Sequence, residues 1–274
     1  MRASRLMSRR GMCLAAILLG ATEPRAFGQA AAESDPWPSL AAQIFNDRLI
    51  GDGSKVLGID APYRAEDAAV VPIGLHDLMP AGDTRRLRRI TFVIDQNPSP
   101  LAATFTLGEN SGVRNISTRV RIDSYTNIHA VAETSDGVLL GADRFVKAAG
   151  GCSAPAAKQE ADSIPLGTMR FRQFTAKETP GAAMRQAQLM IRHPNYTGMQ
   201  MDQLTRLYVP AHFVSSVHIW QGDDLLLGIE TGISISENPA FRFDFQPNGT
   251  TEFRAEVKDS EGKVFKESWP VARA

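Results

Sequence analysis

From Arg88 onward, apolar side chains fall at every second position in run after run, a period that a strand can bury on one face and a helix cannot. In RRITFVIDQN, Ile90, Phe92 and Ile94 share a face, and in PLAATFTLG, Leu101, Ala103, Phe105 and Leu107 do. In NISTRVRIDS, Ile116, Thr118, Val120 and Ile122 alternate with Ser117, Arg119, Arg121 and Asp123, the pattern of a half-buried strand with a polar outer face. Ser135-Asp136-Gly137 then reads as a hairpin turn between apolar runs at Val131 and Leu139–Leu140. The alternation breaks over SAPAAKQEADSIPLG and resumes in MRFRQF, in Ala187/Leu189/Ile191, and on both sides of Gly222-Asp223-Asp224. It continues in Phe241/Phe243/Phe245 and in Phe253/Ala255/Val257. Short strands at this spacing make two all-β sandwich domains joined by a linker. Before them, PWPSLAAQIFNDR (36–48) is a helix candidate, with Pro36 and Pro38 suited to its first turn.

The first 30 residues follow another logic. Arg2, Arg5, Arg9 and Arg10 precede a short apolar run, Met12 to Ala21, and small residues follow at Ala26, Gly28 and Ala30. The run is too short to span a bilayer, so the segment reads as a cleaved signal peptide, which predicts an exported, periplasmic product. Ser8-Arg9-Arg10 loosely resembles a twin-arginine signal, and Cys13 leaves with the leader. The full chain balances 30 basic against 30 acidic residues; removing residues 1–30 leaves 25 against 29. That balance argues against nucleic acid or an anionic membrane as partner, and no later run approaches the roughly 20 apolar residues of a membrane span.

Cys152 is then the single thiol of the mature chain, set in KAAGGCSAPAAK. It has no partner within the chain, which suggests a reactive thiol or a disulfide-linked homodimer through Cys152. Its neighbours are too small to bury sulfur, and Gly150 and Gly151 supply mobility. The expectation is a solvent-accessible thiol on a loose arm, able to stand off from Val146 by at most roughly 20 Å. Without Cys-x-x-Cys, internal dithiol exchange is excluded. His76, His129, His193, His212 and His218 lack common metal-ligand spacings, so no metal site and no cofactor is expected. A Cys–His hydrolase would need a positioned base and an oxyanion hole, and a mobile arm is a poor support for either. A thiol on an arm suits a carrier, which presents a covalently bound group to other proteins.

Residues 65–152 resemble SoxY, the substrate carrier of periplasmic sulfur oxidation, through AEDAAVVPIGL, ITFVIDQNPSPLAATFTLGEN, STRVRIDSYTNIHAVAETSDGVLLGA and the terminal GGC. Residues 169–271 resemble its partner SoxZ through MIRHPNYTG, VPAHFVSSVHIW, ETGISISENPAFRFDF and TTEFRAEVKDSEGKVF. The chain looks like a fused, quinoprotein dehydrogenase-associated SoxYZ-like carrier. The resemblance implies two Ig-like β-sandwiches in tandem: a leader over 1–30, a SoxY-like domain with an N-terminal helix over 31–152, a linker over 153–166 and a SoxZ-like domain over 167–274. It implies that Cys152 carries a sulfur intermediate such as one derived from thiosulfate, and that the partners are sulfur-oxidation or quinoprotein dehydrogenase-associated enzymes. The chain itself is then not an enzyme. One departure is plain: the family arm ends in Gly-Gly-Cys-Gly-Gly at a free C-terminus, whereas here Cys152 is followed by Ser153-Ala154 and the second domain. A thiol-independent scaffold that docks a quinoprotein dehydrogenase is the alternative.

Overall fold

The computed structural model of the chain describes residues 35–80, 82–155, 164–174 and 184–272. The expected signal peptide and most of the expected linker lie outside them.

The helix forms as α1 (Trp37–Phe45), with a proline in its first turn. It ends earlier than its apolar spacing suggests, because Asn46 (φ 52°) and Asp47 (φ 58°) take left-handed conformations and Asn46 caps it. No helix among the described residues is long and apolar enough to cross a membrane.

The remaining elements are strands. The first half contributes β1 (Ile50–Asp52), β2 (Leu57–Asp60), β3 (Val71–Asp77), β4 (Leu87–Ile94), β5 (Leu101–Leu107), β6 (Asn115–Val120), β7 (Thr126–Thr134) and β8 (Leu139–Val146). The second half contributes β9 (Met169–Phe174), β10 (Arg185–Ile191), β11 (Val214–Gln221), β12 (Asp224–Thr231), β13 (Ala240–Phe245), β14 (Glu252–Asp259) and β15 (Val264–Pro270). Both halves are Ig-like sandwiches, and each sheet runs through both of them. One sheet has nine strands in the order β1-β8-β7-β4-β5-β12-β11-β14-β15; the other has six, β2-β3-β6-β13-β10-β9.

The halves therefore meet strand to strand. β5 pairs antiparallel with β12, from Leu107 opposite Leu227 to Ala103 opposite Thr231. In the other sheet β6 meets β13, with Ile116 opposite Phe243 and Ser117 opposite Arg242. Each half thus covers edges that would otherwise expose unpaired backbone groups. One buried apolar cluster follows the seam, taking in Phe92, Phe105 and Ile116 from the first half and Leu227, Phe241 and Phe243 from the second. The alternation supplies it directly: β14 buries Phe253, Ala255 and Val257 while Arg254 and Lys258 face solvent. Strands β4 and β7 are buried on their second face as well, where α1 places Phe45 against Val131 and Leu139.

Candidate functional site

The arm leaves β8 at Val146 and does not hang free. Lys147 bridges to Arg64, its N–H donating to the Tyr63 carbonyl (2.8 Å) and its carbonyl accepting from Ala65 (3.1 Å). The Gly150 N–H then donates to Asp123 O (2.8 Å), and the Gly151 N–H to Ile122 O (2.9 Å). From the second half, Thr197 Oγ1 donates to the Cys152 carbonyl at 2.7 Å. Cys152 is a free cysteine with no exposed surface. Burial, with the Asp123 carboxylate nearby, pushes its thiol up to about 12 against the opposing pull of the Arg121 guanidinium.

This corrects the expectation of a solvent-accessible thiol on a loose arm. The segment is irregular, as its glycines and Pro155 suggest, but the sulfur is enclosed. In the closed arm the two glycines each have a geometric part. Gly150 holds φ 78°, a conformation costly for any residue with a side chain. Gly151 lets two backbones touch: a Cβ there would lie 2.1 Å from Ala68 O and 2.6 Å from Ile122 O. Small neighbours in sequence said nothing about burial, because the groups that hold this backbone in place, at Ala68, Ile122 and Thr197, lie far away in the chain.

Arg121 is the second departure. The alternation put it on a polar outer face, yet β6 ends at Val120 and Arg121 is 1% exposed. Its N–H donates to Ser234 O (2.7 Å), and Val120 bridges Ile235, so a segment of the second half closes over it. Its Nη1 donates to Gly151 O at 3.3 Å, while Nε and Nη2 have no hydrogen-bond partner. Burial lowers its pKa, partly offset by the charges of Glu237, Cys152 and Asp67.

Around this pair converge several motifs singled out in the sequence. Asn97 of NPSPLA donates through Nδ2 to Arg121 O (2.8 Å) and to Ser234 Oγ (2.9 Å), and its Oδ1 accepts from the Asp123 N–H (2.9 Å). Ser236 Oγ of the SENPAF stretch donates to Ala69 O (2.8 Å). Thr197 belongs to NYTG, whose Asn195 Nδ2 donates to Ile235 O (3.3 Å).

None of the histidines is among the groups that hold Cys152. His76 contacts Asn115 and Asp60 (both 2.7 Å), His129 contacts Asp95 (3.0 Å) and stacks on Trp37, and His218 stacks on Trp220. His193 and His212 do meet with Asp259, their ligand atoms within 4.8 Å of one another, a grouping that 19 and 47 residues of separation hid from the sequence. The hydrogen bonds assign it a structural part. Asn195 N–H donates to His193 Nδ1 (3.1 Å), which leaves the ring proton on Nε2; that buried atom lies 3.9 Å from Asp259 and makes no hydrogen bond. Asp259 meanwhile accepts from His212 Nε2 (2.9 Å) and from the N–H groups of Lys263 (2.8 Å) and Glu261 (3.0 Å), closing the β14–β15 turn. A groove of about 840 Å³ crosses the outer face of the six-stranded sheet, between His76, Arg119 and Arg242; Cys152 is not in its lining.

Residues 41–152 match the family model for the sulfur oxidation protein SoxY, and residues 172–270 match that for the sulphur oxidation protein SoxZ. Among solved structures, the sulfur carrier protein SoxY from Chlorobium limicola f thiosulfatophilum is similar at 25% identity, over 41% of this chain and 94% of that one, with a TM-score of 0.33. No curated protein matches the chain.

Proposed function

The chain is a SoxY-like domain and a SoxZ-like domain fused in one polypeptide, and from that premise we propose that it is a carrier of the sulfur-oxidation type whose Cys152 thiol holds a sulfur intermediate covalently. The observation that carries this reading is positional. The SoxY match ends on Cys152, the one thiol beyond the leader, and the motifs that carry both resemblances close around it. The protein acts by presenting a bound group, not by catalysis, and works in the periplasm with sulfur-oxidation or quinoprotein dehydrogenase-associated enzymes. Loading and delivery require the arm to open, since nucleophilic attack needs an accessible thiolate and the closed form supplies neither. A disulfide between two copies through Cys152 belongs to that open form alone.

The burial of Cys152 favours a second reading, in which the fused pair docks a quinoprotein dehydrogenase without using its thiol. Intact mass of the protein taken from its native periplasm without reductant separates the two. The carrier reading expects sulfur-sized adducts on the Cys152 peptide and loss of function in Cys152→Ser with the fold retained. An unmodified thiol throughout turnover, with full function in Cys152→Ser, would leave only the scaffold.

A further inference from the structure

A guanidinium almost wholly shut off from solvent, with four of its five N–H groups unused, is an expensive thing to enclose. Arg121 is such a group: Nη1 makes one long bond to Gly151 O, and Nε and Nη2 make none. Its place is fixed from three sides, by Asn97 and Ser234 on its own backbone and by the arm that carries Cys152. The carboxylates that act on it, Glu237 and Asp67, do so by charge without a hydrogen bond to Nε or Nη2. The donors that remain form a planar fork, the geometry that takes two oxygens of one anion.

We propose that Arg121 is an oxyanion subsite for the end of a sulfur chain attached to Cys152, so that adducts terminating in an oxidised, anionic sulfur group seat in the closed arm and neutral ones do not. This rests on the carrier reading and adds the residue that would recognise the end of the cargo. A sulfonate-type terminus would bring the acceptor oxygens that Nε and Nη2 lack. The same contact would link cargo to exposure: a charged adduct is shielded by Arg121, and a neutral remainder is left to the open state.

Two adducts test it on the full chain, loaded under mild denaturant and returned to buffer. In the first, the Cys152 thiolate attacks a central sulfur of tetrathionate. A new S–S bond forms, the central S–S bond breaks and thiosulfate leaves with the electron pair, giving Cys–S–S–SO3⁻. In the second, the thiolate attacks the sulfenyl sulfur of methyl methanethiosulfonate and methanesulfinate leaves, giving neutral Cys–S–S–CH3. Both thiol protons go to the buffer. The anionic adduct is expected to melt at least about 3 °C above the neutral one. It should also be cleaved by dithiothreitol at least about tenfold more slowly, each rate referred to the same adduct on a peptide of residues 147–155. In Arg121→Gln both differences should vanish, and Arg121→Lys should restore only part of them. Carboxymethyl and carbamoylmethyl Cys152, nearly identical in size, repeat the comparison with charge alone. Equal melting and equal protection of charged and neutral adducts in the unsubstituted chain would overturn the proposal, whether or not the Arg121 variants fold. That result would leave the carrier reading standing, because the native adduct mass decides it separately.

Discussion

Thr197 Oγ1 donates to the Cys152 carbonyl at 2.7 Å, so a side chain of the second half holds the thiol segment of the first. The same hydroxyl accepts from the Met199 N–H (3.1 Å), which ties the latch to its own loop. Just beyond, Leu204, Leu207 and Tyr208 stand exposed. The fusion thus does more than keep two domains near each other: a loop of one holds the cysteine segment of the other.

Removing the latch should loosen the arm without unfolding the sheets. A buried hydrogen bond of this kind contributes about 1 kcal/mol net. Thr197→Val should therefore raise the rate of Cys152 alkylation by iodoacetamide about fivefold in the native protein. Thr197→Ser should return it towards the starting value. Rates unchanged in Thr197→Val would mean that the arm opens by a route that leaves this contact intact.

The two glycines before the thiol should respond differently. Gly150→Ala has open space around the new Cβ and is penalised only by φ 78°, a cost of about 1–2 kcal/mol. Gly151→Ala drives a methyl into the Ala68 and Ile122 carbonyls, which cannot yield without parting the arm from the sheet. It should destabilise by about 1–3 kcal/mol and bring alkylation of Cys152 close to the rate of a small peptide. Urea melts with timed labelling of both variants give the comparison. Equal labelling in the two would show that close approach at Gly151 is not what holds the thiol in.

The strands were legible because a period of two is local. Ile90, Phe92, Ile94, Phe241, Phe243 and Phe245 are all buried where alternation put them. It failed at ends of strands: Leu101 opens β5 and is 42% exposed, and Arg121 lies one residue past β6 and is enclosed. The pairing of Leu107 with Leu227 depends on which edges meet and in what register, information that no single strand carries. The site was half legible. Cys152 stood out by its isolation, whereas its burial is imposed by groups about 30 to 84 positions away, which composition around the thiol cannot reveal.

Acid should weaken the second half through His193. Burial, with His212 beside it, lowers the pKa of His193 from 6.5 to about 4. Between those values the unfolded chain binds a proton that the folded chain refuses, so stability falls as pH drops from about 6.5 to about 4. The loss is on the order of 3 kcal/mol. Asp259 extends it: burial opposes its charged form, but the bonds from His212 and from the Lys263 and Glu261 backbone outweigh that and hold its carboxyl below the usual range. Its contribution is present above the ordinary carboxylate pKa and is lost as pH falls further. Urea denaturation across this range should show the slope in the parent and a flatter profile in His193→Gln. An equal slope in the variant would move the effect to other groups.

The thiol gives the opposite sign and the sharpest check on its enclosure. An exposed cysteine has a pKa near 8.5, so its alkylation rate rises with pH and levels off above about pH 9. Cys152 stays protonated when closed, its pKa pushed up to about 12 by burial and by Asp123. Above the unfolded value the unfolded or open form loses a proton that the closed form keeps, so the stability of the closed form is full below about pH 9 and declines as pH rises towards 12. Reaction then passes through a minor open thiolate, whose share of the total grows about tenfold per pH unit for as long as closed thiol dominates. Native labelling should keep climbing past pH 9 with no plateau, while the same protein in denaturant levels off like a peptide. Circular dichroism at each pH would confirm that the sheets persist over the range compared. A native plateau near pH 9, at the peptide's rate, would mean that the thiol spends its time outside the buried position it has in this structure.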